Sequence, residues 1–141
     1  MPMRKITVAV CVDDQNGMGF GDRRQSRDRE LISDFMQECS SEKTICIGEY
    51  SRGLFESYPQ VTVLDDLLAQ CPDGGVCFAE LQLLKPFLEE IETLILYRWN
   101  RLYPADLYFD LQPEKNGFFL TSSCDFVGSS HDKITKEIYR K

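Results

Sequence analysis

The segment KITVAVCVDDQNGMGF, residues 5–20, decides how the fold of this chain begins. Residues 6–12 form a short run of β-branched and apolar side chains, which is typical of a buried strand. Residues 13–17 are turn formers that end this run. We therefore expect a first strand followed by a loop. We do not expect an export signal, because the apolar run is too short and no small-residue cleavage site follows it.

Outward from this strand, helical and extended patterns alternate. Leu31, Ile32, Phe35 and their successors recur at helical spacing behind Ser26, a candidate N-cap residue. Strands are predicted at 44–47, 61–64, 75–78 and 93–99, helices at 65–71 and 80–84, and further strands at 103–109, 118–122 and 133–140. Alternation followed by consecutive strands predicts one α/β domain over residues 1–141. Its central sheet is mainly parallel, is flanked by helices and ends in a C-terminal antiparallel hairpin.

Composition limits the function classes. The chain has 141 residues, of which 43% are hydrophobic, and no apolar run approaches the roughly 20 residues that cross a bilayer. The net charge of −7 argues against non-specific nucleic-acid binding, which needs an excess of basic residues. Six cysteines and one histidine lack the spacing of a zinc site. We expect reduced, mostly buried cysteines in a cytoplasmic protein that binds no metal.

Five segments carry a resemblance in the same order along the chain. They are Asp-x-x-x-Gly-Met at 13–18, TICIG at 44–48, GGVCFAE at 74–80, LQLLKPFLEEIETLILYRW at 81–99 and KITKEIYRK at 133–141. In this order they resemble the dihydrofolate reductase superfamily, which includes the reductase domain of riboflavin biosynthesis. The resemblance implies a dihydrofolate reductase-like fold and NADPH-dependent hydride transfer to a pterin or a related heterocycle.

The resemblance also implies a cofactor site. Gly48 and Ser51 match the family's phosphate-binding segment, and Ala79 stands at the Gly-Gly pair that opens a later helix in the family. Met18 and Phe20 lie in the loop that closes over the nicotinamide, where Phe20 is either a lid between two glycines or part of a mobile loop.

Three departures from the family pattern concern the same cofactor. Glu49 replaces an arginine that faces phosphate, and Glu80 follows Ala79 in place of the second glycine. A carboxylate repels phosphate, although Glu80 also suits the first turn of a helix. The interval between Phe55 and Leu64 leaves room for one short strand, where the family has two strands and a loop.

The family's catalytic acid is a carboxylate on the first helix, and two residues compete for this role. Glu30 matches the family's acid-Leu pair. Asp28 points towards the apolar stripe of the helix if the helix extends that far, since successive residues are about 100° apart. The alternative for Asp28 is a favourable charge at the helix N-terminus.

Two functions therefore stay open. The first is a divergent NADPH-dependent reductase with Asp28 or Glu30 as the acid. The second is a non-catalytic relative that binds another small molecule or a protein partner through a remodelled cleft, because a fold does not fix a function. In either case we expect a small-molecule ligand, no nucleic acid, no membrane, and a monomer or homodimer.

Overall fold

A computed structural model describes residues 3–39 and 42–141 of the chain. In chain order, its strands are β1 (Ile6–Val12), β2 (Gly17–Phe20), β3 (Arg23–Arg24), β4 (Ile45–Gly48), β5 (Thr62–Leu64), β6 (Val76–Phe78), β7 (Ile91–Arg98), β8 (Leu107–Tyr108), β9 (Phe119–Phe126) and β10 (Ile134–Arg140). Its helices are α1 (Arg29–Glu38), α2 (Leu67–Gln70) and two 3-10 helices, Glu49–Phe55 and Lys85–Phe87.

Seven strands form one central sheet in the order β5-β4-β6-β1-β7-β10-β9. The pairs from β5 through β7 are parallel, whereas β10 pairs antiparallel with both β7 and β9. Strand β1 pairs along its whole length with β7 and through Thr7, Val8 and Ala9 with β6. Its apolar run is buried on both faces, as expected for a central parallel strand. The predicted α/β architecture, with a mainly parallel sheet and a C-terminal antiparallel hairpin, is confirmed.

A second, three-stranded sheet lies beyond the end of β1 and has the order β3-β2-β8. Strands β2 and β3 form a tight hairpin whose two turn residues, Gly21 and Asp22, have φ of 59° and 61°. Two positive φ values in succession are typical of a type I′ turn, which suits the right-handed twist of paired strands. The amide of Gly21 donates to Asp106 over 3.1 Å, which ties the turn to the segment before β8.

Helix α1 packs on one face of the central sheet through Leu31, Ile32 and Phe35, as the periodicity predicted. The ring of Phe35 lies edge-on to Phe78 of β6, with centroids 5.2 Å apart. The expected N-cap at Ser26 is wrong. Asp28 caps the helix instead, because its carboxylate accepts the first free backbone amides of the helix.

The predicted helix over 80–84 is also wrong. Leu81 has a φ of 60°, a left-handed conformation that stops helix propagation. The amides of Leu84 and Lys85 then donate to the Asp110 carboxylate, each over 2.8 Å, in place of helical carbonyls. Only Lys85–Phe87 forms a single 3-10 turn, so β6 is followed by no α-helix before β7.

The remaining predictions concern short segments. Between Phe55 and Leu64 the chain has room only for β5, as expected, and the strand expected over 103–109 shrinks to β8. All six cysteines are free. Three of them are buried, and Cys124 on β9 is exposed, which departs from the prediction of mostly buried thiols. Within the described ranges, neither α-helix has the length and apolar character to cross a bilayer.

Candidate functional site

The carboxyl ends of β1, β4 and β6 meet at one edge of the central sheet. Helix α1 leaves this edge over one face, and the connection from β6 to β7 packs on the opposite face. Open α/β sheets usually bind ligands at such a point, where the chain diverges to both sides. Two cavities of very different size lie at this edge.

The smaller cavity lies directly between the ends of β1 and β6. Its walls include Cys11, Met18, Ala79 and Trp99, and its free volume is only about 10 Å³. That volume is about the size of one water molecule. A cleft is therefore present between the two strand ends, but the protein's own side chains fill it.

An ion pair between Arg24 and Glu80 closes this cleft. The guanidinium of Arg24 donates to both carboxylate oxygens of Glu80, with Nε–Oε2 at 2.8 Å and Nη2–Oε1 at 3.0 Å. Ser51 donates its hydroxyl to Oε1 of the same carboxylate over 2.7 Å. The Arg24 and Glu80 side chains are only 22% and 11% exposed. The hydrogen bond to Glu80 raises the pKa of Arg24, so Arg24 stays charged at every ordinary pH.

Tyr50 covers this ion pair from outside. The guanidinium of Arg24 lies 4.4 Å from the centre of the Tyr50 ring, a cation–π contact. The amide of Arg24 donates to the Tyr50 hydroxyl over 2.9 Å, and Nη2 donates to the Tyr50 carbonyl over 3.2 Å. We call Arg24, Tyr50, Ser51 and Glu80 the plug. It joins the β2–β3 hairpin to the ends of β4 and β6.

Glycine at position 19 lets the hairpin approach the plug closely. A Cβ at Gly19 would lie 2.3 Å from the Leu81 side chain and 2.9 Å from the Arg23 carbonyl. The end of the Leu81 side chain can move aside, but the Arg23 carbonyl is backbone of β3. A larger residue at position 19 would therefore disturb the pairing of β2 with β3, the strand that carries Arg24.

Asp28 lies at the centre of a second hydrogen-bond network at this edge and is almost completely buried. Oδ1 accepts from the amides of Leu31 and Ser129, at 3.3 and 2.9 Å, and from the Ser129 hydroxyl at 3.1 Å. Oδ2 accepts from the Ser130 amide at 2.8 Å and from Nδ1 of His131 at 2.9 Å. Burial alone would raise the pKa of Asp28, but the hydrogen bonds from His131, Ser130 and Ser129 lower it well below its usual range.

His131 extends this network on its other side. Its Nε2 lies 3.1 Å from the Ser26 hydroxyl and 2.9 Å from the Tyr103 hydroxyl. The ring stacks on Trp99, with centroids 4.5 Å apart and an interplanar angle of 26°. Asp28 and His131 thus connect α1, the β9–β10 loop and the segment after β7 through groups that water hardly reaches.

The larger cavity is a chamber of about 470 Å³ between the start of α1, the 3-10 helix Glu49–Phe55 and the β9–β10 loop. Small residues, among them Gly53 and Ser57, leave this space open. Ile32, Leu54 and Tyr58 supply apolar and aromatic surface, while Arg27 and Arg29 stand on its wall as exposed cations. We call this cavity the chamber.

Comparison with known proteins identifies the fold. No protein-family model and no curated protein sequence matches this chain. By structure, it is similar to the dihydrofolate reductase from Enterococcus faecalis complexed with NADP(H) and RAB-propyl, with a TM-score of 0.66, covering 96% of this chain and 95% of that chain. The chain has a dihydrofolate reductase-like fold. Only 11% of residues are identical, so the likeness extends to the fold alone.

The residues that the resemblance assigned to cofactor in this dihydrofolate reductase-like fold lie around the plug. Ser51 is buried and belongs to it, whereas Ala79 is buried at its base, with its amide bonded to the Ala9 carbonyl at 2.9 Å. Gly48 ends β4, and a Cβ there would meet nothing closer than 4.0 Å, so no close backbone approach requires glycine. The assignment of Gly48, Ser51 and Ala79 to cofactor binding stays a prediction.

The two residues of the expected lid separate in the structure. Met18 is buried in the core and lines the small cavity. Phe20 is 56% exposed at the end of β2, beside the hairpin turn. The lid segment is therefore a paired hairpin, and Phe20 does not line the small cavity. A role for either residue in cofactor binding stays a prediction.

The two candidate acids also separate. Asp28 is buried and Glu30 is exposed. The helix does not extend to Asp28, which is its N-cap, so Asp28 takes the alternative position at the helix N-terminus. However, both oxygens of Asp28 already accept hydrogen bonds from the chain. A lowered pKa is the opposite of what a proton donor needs at neutral pH. A catalytic role for either carboxylate stays a prediction.

Sequence reasoning missed Arg24, Tyr50, Tyr103 and His131. Each contacts its partner from a distant part of the chain: Arg24 and Glu80 are 56 residues apart, and Asp28 and His131 are 103 apart. No local pattern records such pairs. The one available signal was that His131 is the only histidine.

Proposed function

We propose that this dihydrofolate reductase-like protein does not transfer hydride from NADPH and instead binds a small anionic molecule in the chamber. The observation that carries the proposal is the plug, because the bidentate Arg24–Glu80 pair leaves only about 10 Å³ between the ends of β1 and β6. A nicotinamide ring does not fit this volume. The residues present therefore do not fit NADPH in this arrangement.

The pterin side supports the same proposal. The resemblance implies that the carboxylate of the first helix binds the pterin, but the Asp28 carboxylate is already hydrogen-bonded to other groups of the protein. His131 and the amides of Ser129 and Ser130 take both of its oxygens. A ligand would have to displace these donors, and each bond to a buried carboxylate is of the strong, charge-assisted kind.

The chamber, in contrast, is open and has the chemistry of a binding site. Ligand pockets are mostly apolar with a few charged or polar groups that fix orientation. Ile32, Leu54 and Tyr58 supply the apolar part. Neither Arg27 nor Arg29 forms an ion pair with any described residue. Two unpaired guanidinium groups in a chain of net charge −7 favour a carboxylate or phosphate on an apolar or aromatic body.

The NADPH-dependent reductase is the second candidate. The structural neighbour is a dihydrofolate reductase bound to NADP(H), and the plug consists of side chains that would have to swing away to admit a nicotinamide. The cost is separation of a largely buried ion pair, which leaves each charge without its partner.

A titration separates the two candidates. Purified protein should bind neither NADPH, NADH nor NADP⁺ at millimolar concentration in calorimetry, and the Arg24→Ala/Glu80→Ala double variant, which opens the cleft, serves as comparison. Micromolar NADPH affinity in the wild-type protein would overturn the proposal. Reduction of dihydrofolate should then be tested with Asp28→Asn and Glu30→Gln.

The chamber is tested with anilinonaphthalene sulfonate, an aromatic anion that reports binding by fluorescence. We expect one site per chain and about tenfold weaker binding for Arg27→Gln/Arg29→Gln, since a charge-assisted hydrogen bond contributes about 1.5–3 kcal/mol. Gly53→Phe should abolish binding without unfolding, because a Cβ at Gly53 meets no atom within 4 Å. Arg52→Gln is the matched control, since Arg52 pairs with Glu49 outside the chamber. Equal affinity in all variants would place the dye elsewhere and contradict the proposal.

A further inference from the structure

The side chains of Ser26, His131 and Asp28 form a continuous relay. Nδ1 of His131 lies 2.9 Å from Asp28 Oδ2, and Nε2 lies 3.1 Å from Ser26 Oγ. A hydroxyl, an imidazole and a buried carboxylate in this order activate a serine for attack on carbonyl carbon in unrelated folds. We propose that Ser26 is a nucleophile that accepts the acyl group of a carboxylic ester, with His131 as its general base.

Asp28 fixes the tautomer that this chemistry needs. An ionised carboxylate only accepts hydrogen bonds, and hydrogen bonds from His131, Ser130 and Ser129 keep Asp28 ionised by lowering its pKa. Nδ1 of His131 must therefore carry a proton towards Asp28. In the neutral ring, Nε2 is then the acceptor and receives the hydroxyl proton of Ser26.

The surroundings hold the base in place. His131 is 4% exposed and stacks on Trp99, so its ring cannot turn freely. The amides of Ser129 and Ser130 donate to the two oxygens of Asp28 and hold its carboxylate in place. Ser26 itself is partly exposed, in the segment between β3 and α1. A rigid base beside a partly exposed hydroxyl is the geometry of an activated nucleophile.

A second hydroxyl competes for the same nitrogen. The Tyr103 hydroxyl lies 2.9 Å from Nε2 of His131, and one lone pair serves both hydroxyl groups. Removing the Tyr103 hydroxyl should leave the lone pair to Ser26 alone. If the Tyr103 hydroxyl competes with Ser26 for Nε2, Tyr103→Phe should raise the rate of ester hydrolysis. If the Tyr103 hydroxyl supports the reaction, the same variant should lower that rate.

The proposed step balances without a cofactor. Oγ of Ser26 attacks the ester carbonyl carbon while its proton passes to Nε2 of His131. The carbon–oxygen bond to the alcohol breaks, and the imidazolium returns the proton to the leaving oxygen. Water then attacks the acyl-serine by the same route and releases the carboxylic acid. Arg27 follows Ser26 and forms no hydrogen bond with any described residue, so its amide and guanidinium are free to donate to the developing oxyanion.

The inference goes beyond the proposed ligand binding and is tested separately. The full chain is treated with a fluorophosphonate probe, and the modified residue is located by mass spectrometry, alongside hydrolysis of p-nitrophenyl acetate. We expect labelling at Ser26, none in Ser26→Ala, and a rate lower by about 100-fold in His131→Gln, the usual contribution of a general base. Ser123→Ala, on exposed strand β9, is the control and should label as wild type does.

Three outcomes would overturn the inference: no label on Ser26, a label on Tyr103 instead, or equal rates in wild type and His131→Gln. If His131→Gln fails to fold, Ser26→Cys gives an independent measurement. Its thiol should react with iodoacetamide well below pH 8.5, the usual thiol pKa, and the exposed thiol of Cys124 in the same molecule serves as the reference. Identical pH profiles for the two thiols would contradict activation by His131.

Discussion

Two glutamates follow neighbouring parallel strands at the same edge of the sheet, and the structure treats them differently. Glu80 follows β6 and its side chain is 11% exposed, whereas Glu49 follows β4 and its side chain is 69% exposed. Glu80 pairs with Arg24 from another sheet, 56 residues away. Glu49 pairs with Arg52 three residues along its own 3-10 helix. Glu80 thus helps to close the cleft, whereas Glu49 forms an exposed ion pair on the protein surface.

The difference shows that position across the sheet, and not charge, decides the consequence of each carboxylate. Strand β6 lies beside the central strand β1, and β4 lies one strand further out. A pair that spans distant segments orders both of them, while an exposed pair within one turn is screened by water and salt. Asp28 is a third carboxylate for this comparison, and its side chain is completely buried, with 0% exposure.

The largest effect should follow Asp28→Ala, which removes the most buried of the three carboxylates. It leaves the ring of His131 and the amides of Ser129 and Ser130 without their acceptor. Losing one partner of a buried charged network typically costs about 3–5 kcal/mol of unfolding free energy. Urea unfolding measures it. Glu30→Ala, two residues away and exposed, is the control, and an equal loss in both variants would contradict the assigned role of burial.

Acid should produce the next largest effect. Because the folded pKa of Asp28 lies below its unfolded value of about 3.9, the unfolded chain binds its proton first as the pH falls. The stabilisation is therefore complete above about pH 4 and is lost progressively below it. Asp28→Asn should unfold with a shallower dependence on pH between about 4 and 2. Parallel curves would mean that other carboxylates dominate acid unfolding.

Glu80→Gln should have an intermediate effect. The variant keeps the shape of the side chain but leaves the Arg24 guanidinium, 22% exposed, without a counter-charge. Water reaches Arg24 in part, so we expect a loss of about 2 kcal/mol, less than for a fully buried pair. Arg24→Ala/Glu80→Gln should cost less than the sum of the single variants, because the two side chains interact directly. Additive costs would show that the plug is not energetically coupled.

The sequence predicts the sheet and α1 well because both depend on local patterns. The β-branched run of β1 and the helical spacing of Leu31, Ile32 and Phe35 each reflect one face or strand packed against the core. These features need no knowledge of distant residues. Asp28 is different, because it lies outside the helix as its N-cap with an extended backbone, so helical periodicity did not set its direction.

Predictions failed where a distant partner decides the backbone. The segment 80–84 has helix-forming residues, but the Asp110 carboxylate takes the amides of Leu84 and Lys85, and Leu81 turns left-handed. Ser26 had the chemistry of an N-cap, yet its hydroxyl lies at His131 and Asp28 took the cap. Neither contact has a signature in the neighbouring sequence.

The smallest effect should follow Glu49→Gln, the matched counterpart of Glu80→Gln. Hydrogen bonding to Arg52 lowers the pKa of Glu49, but both side chains are more than 60% exposed, so water solvates either charge when its partner is removed. We expect the midpoint of urea unfolding to stay unchanged, and salt to remove any residual difference.

Glu49→Arg should likewise leave NADPH binding as weak as in the wild-type protein, because the plug keeps the cleft closed whatever charge stands at position 49. Tight NADPH binding by Glu49→Arg alone would show that charge at the end of β4, and not the Arg24–Glu80 pair, excludes the cofactor.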